Sequence, residues 1–169
     1  MSPSETAPDA QGRVPGPGPA APETSQLRIA SLLATAALVG AVLVLLFRRE
    51  LFANQPAGLI VQVAASLLML WARLTLGMRS FHAGANPTEG GLVTSGPYRF
   101  IRHPIYSAIL FLVWAAALSH VSIVSIVARV LATAAVAVRI ASEERLLLQR
   151  YPEYAAYAAR TRRVVPFVV

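Results

Sequence analysis

The 169-residue chain contains no cysteine, which excludes disulfides, thiolate nucleophiles and cysteine-based metal sites. It contains no lysine either, so all fifteen basic side chains are arginine. With the abundance of alanine, valine and leucine, this reads as a coding bias rather than as chemistry. Charge is scarce, at 14% of residues against the quarter or so usual in soluble domains. A soluble protein this small could not hide the 56% of residues that are hydrophobic, and the bilayer is the natural solvent for them. The histidines are three and well separated, at positions 82, 103 and 120, so no metal site is expected. A net charge of +7 points to cytosolic loops and anionic lipid surfaces rather than to nucleic acid.

What is present falls into two parts. Residues 1–26 are rich in Pro, Ala, Gly and Ser and cannot build a core, so a disordered tail is expected there. Residues 27–169 form the expected transmembrane domain, with a motif-bearing core over 71–169. Ile29 to Phe47 is an uncharged stretch that as a helix spans roughly 28 Å, enough for the hydrocarbon core. A second apolar stretch runs from about Ala57 to Met78, with Gln62 near its start and Arg73 near its end. After a turn-rich polar segment over 79–104, Ile105 to Ser119 and Val121 to Val138 are apolar again. The turn at His120 makes these last two an antiparallel hairpin. The final helix continues past Arg139 to Tyr151, where Pro152 ends it. The expected fold is all-α and polytopic, with about four transmembrane helices.

Arginines set the expected topology. Nine lie in the 79–104 segment and the stretch after residue 138, which puts both in the cytosol; Arg48 and Arg49 then face outward against the rule.

Two segments carry chemistry. Gly91 to Tyr106 places Tyr98, Arg99, Arg102, His103 and Tyr106 within nine residues, just before a helix whose first turn accommodates Pro104. The free backbone N–H groups of that turn favour an anion. The second segment places Glu143 and Glu144 on the cytosolic end of the next helix, with Arg139 one turn before Glu143 on the same face. Side by side, they make a pocket with both charge signs, aromatic rings and an apolar floor. Such a pocket suits S-adenosylmethionine: arginine or backbone donors for its carboxylate, a glutamate for its ammonium, tyrosines or aliphatics beside its adenine. Methyl transfer is a direct displacement, so positioning matters most. The plainer reading makes the arginines and tyrosines interfacial anchors and the Glu143–Glu144 pair a solvated helix face.

Gly96-Pro-Tyr-Arg99, Arg102-His-Pro-Ile-Tyr106, Glu143-Glu144 and the Tyr154…Pro166 tail together resemble the isoprenylcysteine carboxyl methyltransferase family, particularly its small prokaryotic members. The likeness covers about Trp71 to Val169. It is similar in its cofactor motif to phospholipid N-methyltransferases. The resemblance implies a cofactor site lined by His103, Pro104, Tyr106 and Glu144, with Tyr98 and Arg99 shaping the loop. It implies that Arg139 and Glu143 sit near the transferred methyl group. Ala108 stands where the family commonly has Gly, and only two spans precede the motif loop, so part of the substrate groove of larger members is missing.

The implied activity is methyl transfer from S-adenosylmethionine to a lipophilic or lipidated acceptor, carboxyl, amine or thiol, at a prokaryotic plasma membrane. A carboxylate acceptor would be oriented by Arg139, whereas an amine or thiol would lose its proton to Glu143 or Glu144. A membrane reductase using a nicotinamide cofactor would need further basic residues for a 2′-phosphate. A non-catalytic membrane subunit would bind no cofactor. Arg129, midway along its span, costs ~2.5–3.5 kcal/mol to insert and is either a substrate contact or paired within the bundle.

Overall fold

The computed structural model describes residues 22–77 and 91–164; residues 1–21 of the expected tail, Arg79, His82 and Pro166 lie outside them. The architecture is all-helical: α1 Pro22–Phe47, α2 Pro56–Leu76, α3 Pro104–Ala115, α4 Ile123–Arg150 and the short α5 Tyr154–Arg160. Helix α1 starts earlier than the composition of its first turn suggested, so residues 22–26 are helical rather than tail. Proline at the first helical position costs nothing there, because its missing N–H would have had no partner. Pro56 and Pro104 open α2 and α3 in the same way.

Helices α1, α2 and α4 are each long and apolar enough to cross a membrane. The third apolar segment, Ile105 to Ser119, differs from its expected span. Its helix, α3, has 12 residues, about 18 Å at the usual rise, well short of the ~30 Å hydrocarbon core. The chain then turns through Ala116–Ser119, whose backbone donors close on Trp114 and Ala116 carbonyls. At the other end of α4 the expectation holds: the helix stops at Arg150, one residue before Tyr151 and two before Pro152.

The hairpin of α3 and α4 is antiparallel, yet the backbone of α4 lies chiefly along α1, and that of α3 along α2. Small side chains explain this choice. Ala34 and Ala41 of α1 and Ala128, Ala132 and Ala135 of α4 are buried in one cluster with Leu38, Leu45 and Val136. Without a hydrophobic drive inside lipid, close backbone approach between small residues is what gains dispersion energy. Gly58 serves the α2–α3 pair likewise: a Cβ there would stand 2.7 Å from the Ala115 carbonyl oxygen.

The end of the bundle holding the 48–55 and 116–122 turns is tied by polar groups. Gln62 is buried; it accepts from the Ala53 N–H at 3.1 Å and donates to the Leu51 and Leu112 carbonyls at 2.8 and 3.0 Å. Ser122 and Ser125 form a reciprocal cap at the start of α4, each side chain accepting from the other's backbone N–H at 3.1 Å. Arg48, at odds with the arginine rule, pairs with Glu50 at 3.0 Å. Its hydrogen bond holds the Glu50 carboxyl below its ordinary value.

Arg129, the charged residue midway along its span, belongs to this network and is paired within the bundle. Only 1% exposed, it donates to three backbone carbonyls: Val113 at 3.1 Å, His120 at 3.2 Å and Glu50 at 3.0 Å. The guanidinium thus knits α4 to both turns at that end. Arg129→Leu leaves three carbonyls without this donor and should destabilise the fold by about 3 kcal/mol or more. A clear fall in the thermal unfolding midpoint in detergent is expected, and an unchanged midpoint would contradict the bracing role.

Candidate active site

At the opposite end, the segment Gly91–His103 is shaped by one residue. Gly96 has φ +56°, in the left-handed region that side chains disfavour, and a Cβ there would collide with the Thr75 side chain of α2. Its absence lets a 3-10 turn, Gly96–Arg99, settle against α2 with Pro97 and Tyr98 buried. Gly96→Ala is accordingly expected to destabilise by at least about 1 kcal/mol through φ alone, read as a lowered unfolding midpoint.

The chain after α5 closes this segment from the other side. Ile101 and Arg162 form a parallel β-bridge. The Arg102 N–H donates to the Arg162 carbonyl at 2.7 Å and the His103 N–H to the Arg163 carbonyl at 3.0 Å, while Arg162 N–H donates back to Phe100 at 3.1 Å. Ser107 Oγ donates to the Val164 carbonyl. From α5, the Tyr157 hydroxyl donates to the Tyr98 carbonyl at 2.6 Å. Burial pushes the Tyr157 hydroxyl up to about 12, so it remains a donor at neutral pH.

Two adjacent carboxylates on α4 diverge around the helix and gather different partners. Glu143 Oε1 accepts from the Tyr106 hydroxyl and from Arg139 Nη2 at 3.1 Å. Arg139 is buried, and its Nε donates to the Tyr106 oxygen at 2.6 Å. Glu144 Oε1 accepts from Arg102 Nε at 3.0 Å, and its Oε2 lies 2.9 Å from Arg163 Nη2. Arg102 is held in turn by the carbonyls of Ala158, at 2.7 Å, and Thr161.

His103 stands between the carboxylates, its Nδ1 3.8 Å from Glu143 Oε2 and its Nε2 3.5 Å from Glu144 Oε1. The residue is 6% exposed, and Nε2 makes no hydrogen bond. It caps α3 without a side-chain cap bond, so the first backbone donors of α3 are not satisfied by His103. The Tyr154 hydroxyl is buried and equally without a partner. Burial, and then the charge of Glu144, push that hydroxyl above its ordinary value and keep it protonated.

The structure therefore brings together His103, Pro104, Tyr106, Arg139, Glu143 and Glu144. Tyr98 supports the cluster from behind the loop through Tyr157. Arg99 stands apart: it is exposed and lies 4.6 Å from the centroid of its neighbour Phe100, and the guanidinium groups at Glu144 are those of Arg102 and Arg163. The 3-10 turn ends at Arg99, and Arg102 lies beyond it, after the buried Ile101 that bridges to Arg162. From the Tyr154…Pro166 tail, Arg163 reaches Glu144 and the Tyr154 ring packs on that of Tyr157; Ser31 and Thr35 of α1, not singled out from sequence, lie beside Arg139.

A family model described as phospholipid methyltransferase matches residues 53–154, which takes in α2, the loop, α3, α4 and Tyr154. No curated protein and no solved structure matches the chain. The match covers more than half of the chain and all of the carboxylate-bearing hairpin, and the family is related to the isoprenylcysteine carboxyl methyltransferases that the motifs resemble. With three helices among the described residues, α1, α2 and α4, long and apolar enough to cross a membrane, the chain belongs to the phospholipid methyltransferase family.

Proposed function

We propose that the protein is an integral-membrane methyltransferase that uses S-adenosylmethionine and methylates the amine of a lipophilic acceptor, such as an aminophospholipid head group. One observation carries the reading. Two buried polar atoms, His103 Nε2, 3.5 Å from Glu144 Oε1, and the Tyr154 hydroxyl, make no hydrogen bond among the described residues. A folded protein rarely leaves such groups unmet, and a zwitterionic ligand would satisfy them.

His103, Pro104, Tyr106 and Glu144 would hold the cofactor, with the first backbone donors of α3 available to its carboxylate. Arg163, whose side chain is 55% exposed, is the partner of Glu144 that solvent can most easily replace. When bound, the cofactor supplies an electrophilic methyl group on a sulfonium. Arg139 and Tyr106 fix Glu143 through its Oε1, and Oε2 lies 3.8 Å from His103 Nδ1. That oxygen can hold an ammonium and take its proton.

The chemistry of Arg139 favours an amine over a carboxylate. Its Nε, Nη1 and Nη2 are all engaged, by Tyr106, by Ser31 and Thr35, and by Glu143. A carboxylate acceptor would meet Glu143 instead of a free guanidinium, and like charges repel. Nine arginines of the motif end and the following stretch against two at the other end favour a cytosolic site at a prokaryotic plasma membrane.

Calorimetry with S-adenosylhomocysteine tests the cofactor, and a methyl-labelled cofactor offered to vesicles carrying aminophospholipid, farnesylcysteine or fatty acid tests the acceptor. Binding with label in the amine lipid is expected. Label in a carboxyl ester would overturn the amine assignment. No binding by folded protein would overturn methyl transfer itself.

A further inference from the structure

We infer that Thr35, on α1, is a positioning residue of the methyl-transfer site, acting through Arg139. The inference rests on the function proposed above, but its residue lies outside the matched family region, which begins at residue 53.

Between Ile29 and Phe47 only two side chains carry a polar atom, Ser31 and Thr35. They are four residues apart, hence on one face of α1, and both meet the same guanidinium. Arg139 Nη1 donates to Thr35 Oγ1 and reaches the Ser31 carbonyl at 3.4 Å. The Thr35 hydroxyl donates its own hydrogen bond to that carbonyl at 2.7 Å, which leaves its oxygen lone pairs to accept from Arg139. Ser31 is fully buried, and its Oγ has no partner.

A guanidinium is a rigid fork, so pinning one arm orients the other two. With Nη1 held by α1, Nε is aimed at the Tyr106 hydroxyl and Nη2 at Glu143 Oε1. The guanidinium carbon also lies 5.5 Å from the centroid of the Tyr106 ring. Without Thr35 the fork can rotate, and Glu143 loses its fixed direction while keeping its charge. A misplacement of about 1 Å at a reacting group costs on the order of a hundredfold in rate. Helix α1 thus contributes to the chemistry as well as to the span.

The test compares Thr35→Val, isosteric but without the hydroxyl, with Thr35→Ser, which restores it. Turnover, KM for both substrates and S-adenosylhomocysteine affinity are measured in the same detergent. For Thr35→Val we expect kcat to fall about tenfold or more, the size of one lost hydrogen bond to a charged group. Cofactor affinity should stay within about twofold, because the Glu144 cluster is untouched. Thr35→Ser should recover most of the lost kcat. A purely structural role would lower the unfolding midpoint without this split between kcat and cofactor affinity. Wild-type kcat in Thr35→Val, or equal losses in both variants, would overturn the role of Thr35 alone. A folded wild type with no turnover and no cofactor binding would overturn the underlying function and this role with it.

Discussion

Glu144→Gln is expected to reduce S-adenosylhomocysteine affinity by at least about a hundredfold. Glu144 meets Arg102 at 3.0 Å, Arg163 at 2.9 Å and His103 at 3.5 Å, from a position 8% exposed. Removing one member of a buried ion pair typically costs about 3–5 kcal/mol, because the remaining charge stays desolvated and unpaired. At ~1.4 kcal/mol per tenfold, that is two to three powers of ten in affinity if the site must stay formed to bind. The amide can accept from one guanidinium but cannot neutralise two. Arg102 keeps the Ala158 and Thr161 carbonyls, so the fold should survive at a lower melting point. Calorimetry on the folded variant decides the matter, and wild-type affinity would remove Glu144 from the cofactor site.

Glu143→Gln should behave differently, although the two residues are neighbours. Its oxygen Oε1 is held by Tyr106 and Arg139, and His103 Nδ1 lies 3.8 Å from Oε2. If Oε2 takes the acceptor proton, its loss removes general-base assistance, typically worth 10²–10⁴-fold. We expect kcat to fall by about a hundredfold or more, with cofactor affinity changed only severalfold. Single-turnover rates beside equilibrium binding separate these quantities. A variant that loses binding in step with rate would place Glu143 with the cofactor rather than with the acceptor.

The legible features of the sequence were those set by local rules. Apolar length located α1, α2 and α4, and Pro152 marked the end of α4. One-turn spacing put Arg139 beside Glu143. Less legible were the features set by tertiary competition. Apolar composition alone could not say that α3 stops after 12 residues, because a turn closed by Trp114 and Ala116 carbonyls is also apolar. Nor could it choose between α1 and α3 as the neighbour of α4, a choice made by alanines on faces that periodicity leaves unassigned. Arg99 and Arg102 look alike in the motif, and only the pairing of Ile101 with Arg162 decides which reaches Glu144. The role of Arg129 was open for a similar reason, since its three partners are backbone carbonyls that any sequence would supply. Ser31 and Thr35 did carry a signal: two lone hydroxyls one helical turn apart in an otherwise apolar span.

The strand-like pairing of residues 100–103 with residues 162–163 also bears on how the protein is made. Arg102 and His103 leave the ribosome about sixty residues before the segment that anchors them. A nascent chain can place all its spans in the bilayer while Glu144 still lacks Arg163 and Arg102 still lacks the Thr161 carbonyl. Translation that halts after α4 therefore yields an inserted but unassembled protein. Such a fragment holds Arg102 and Glu144 but not residues 161–163, so the loop before α3 has no partner strand until the last part of the chain is made.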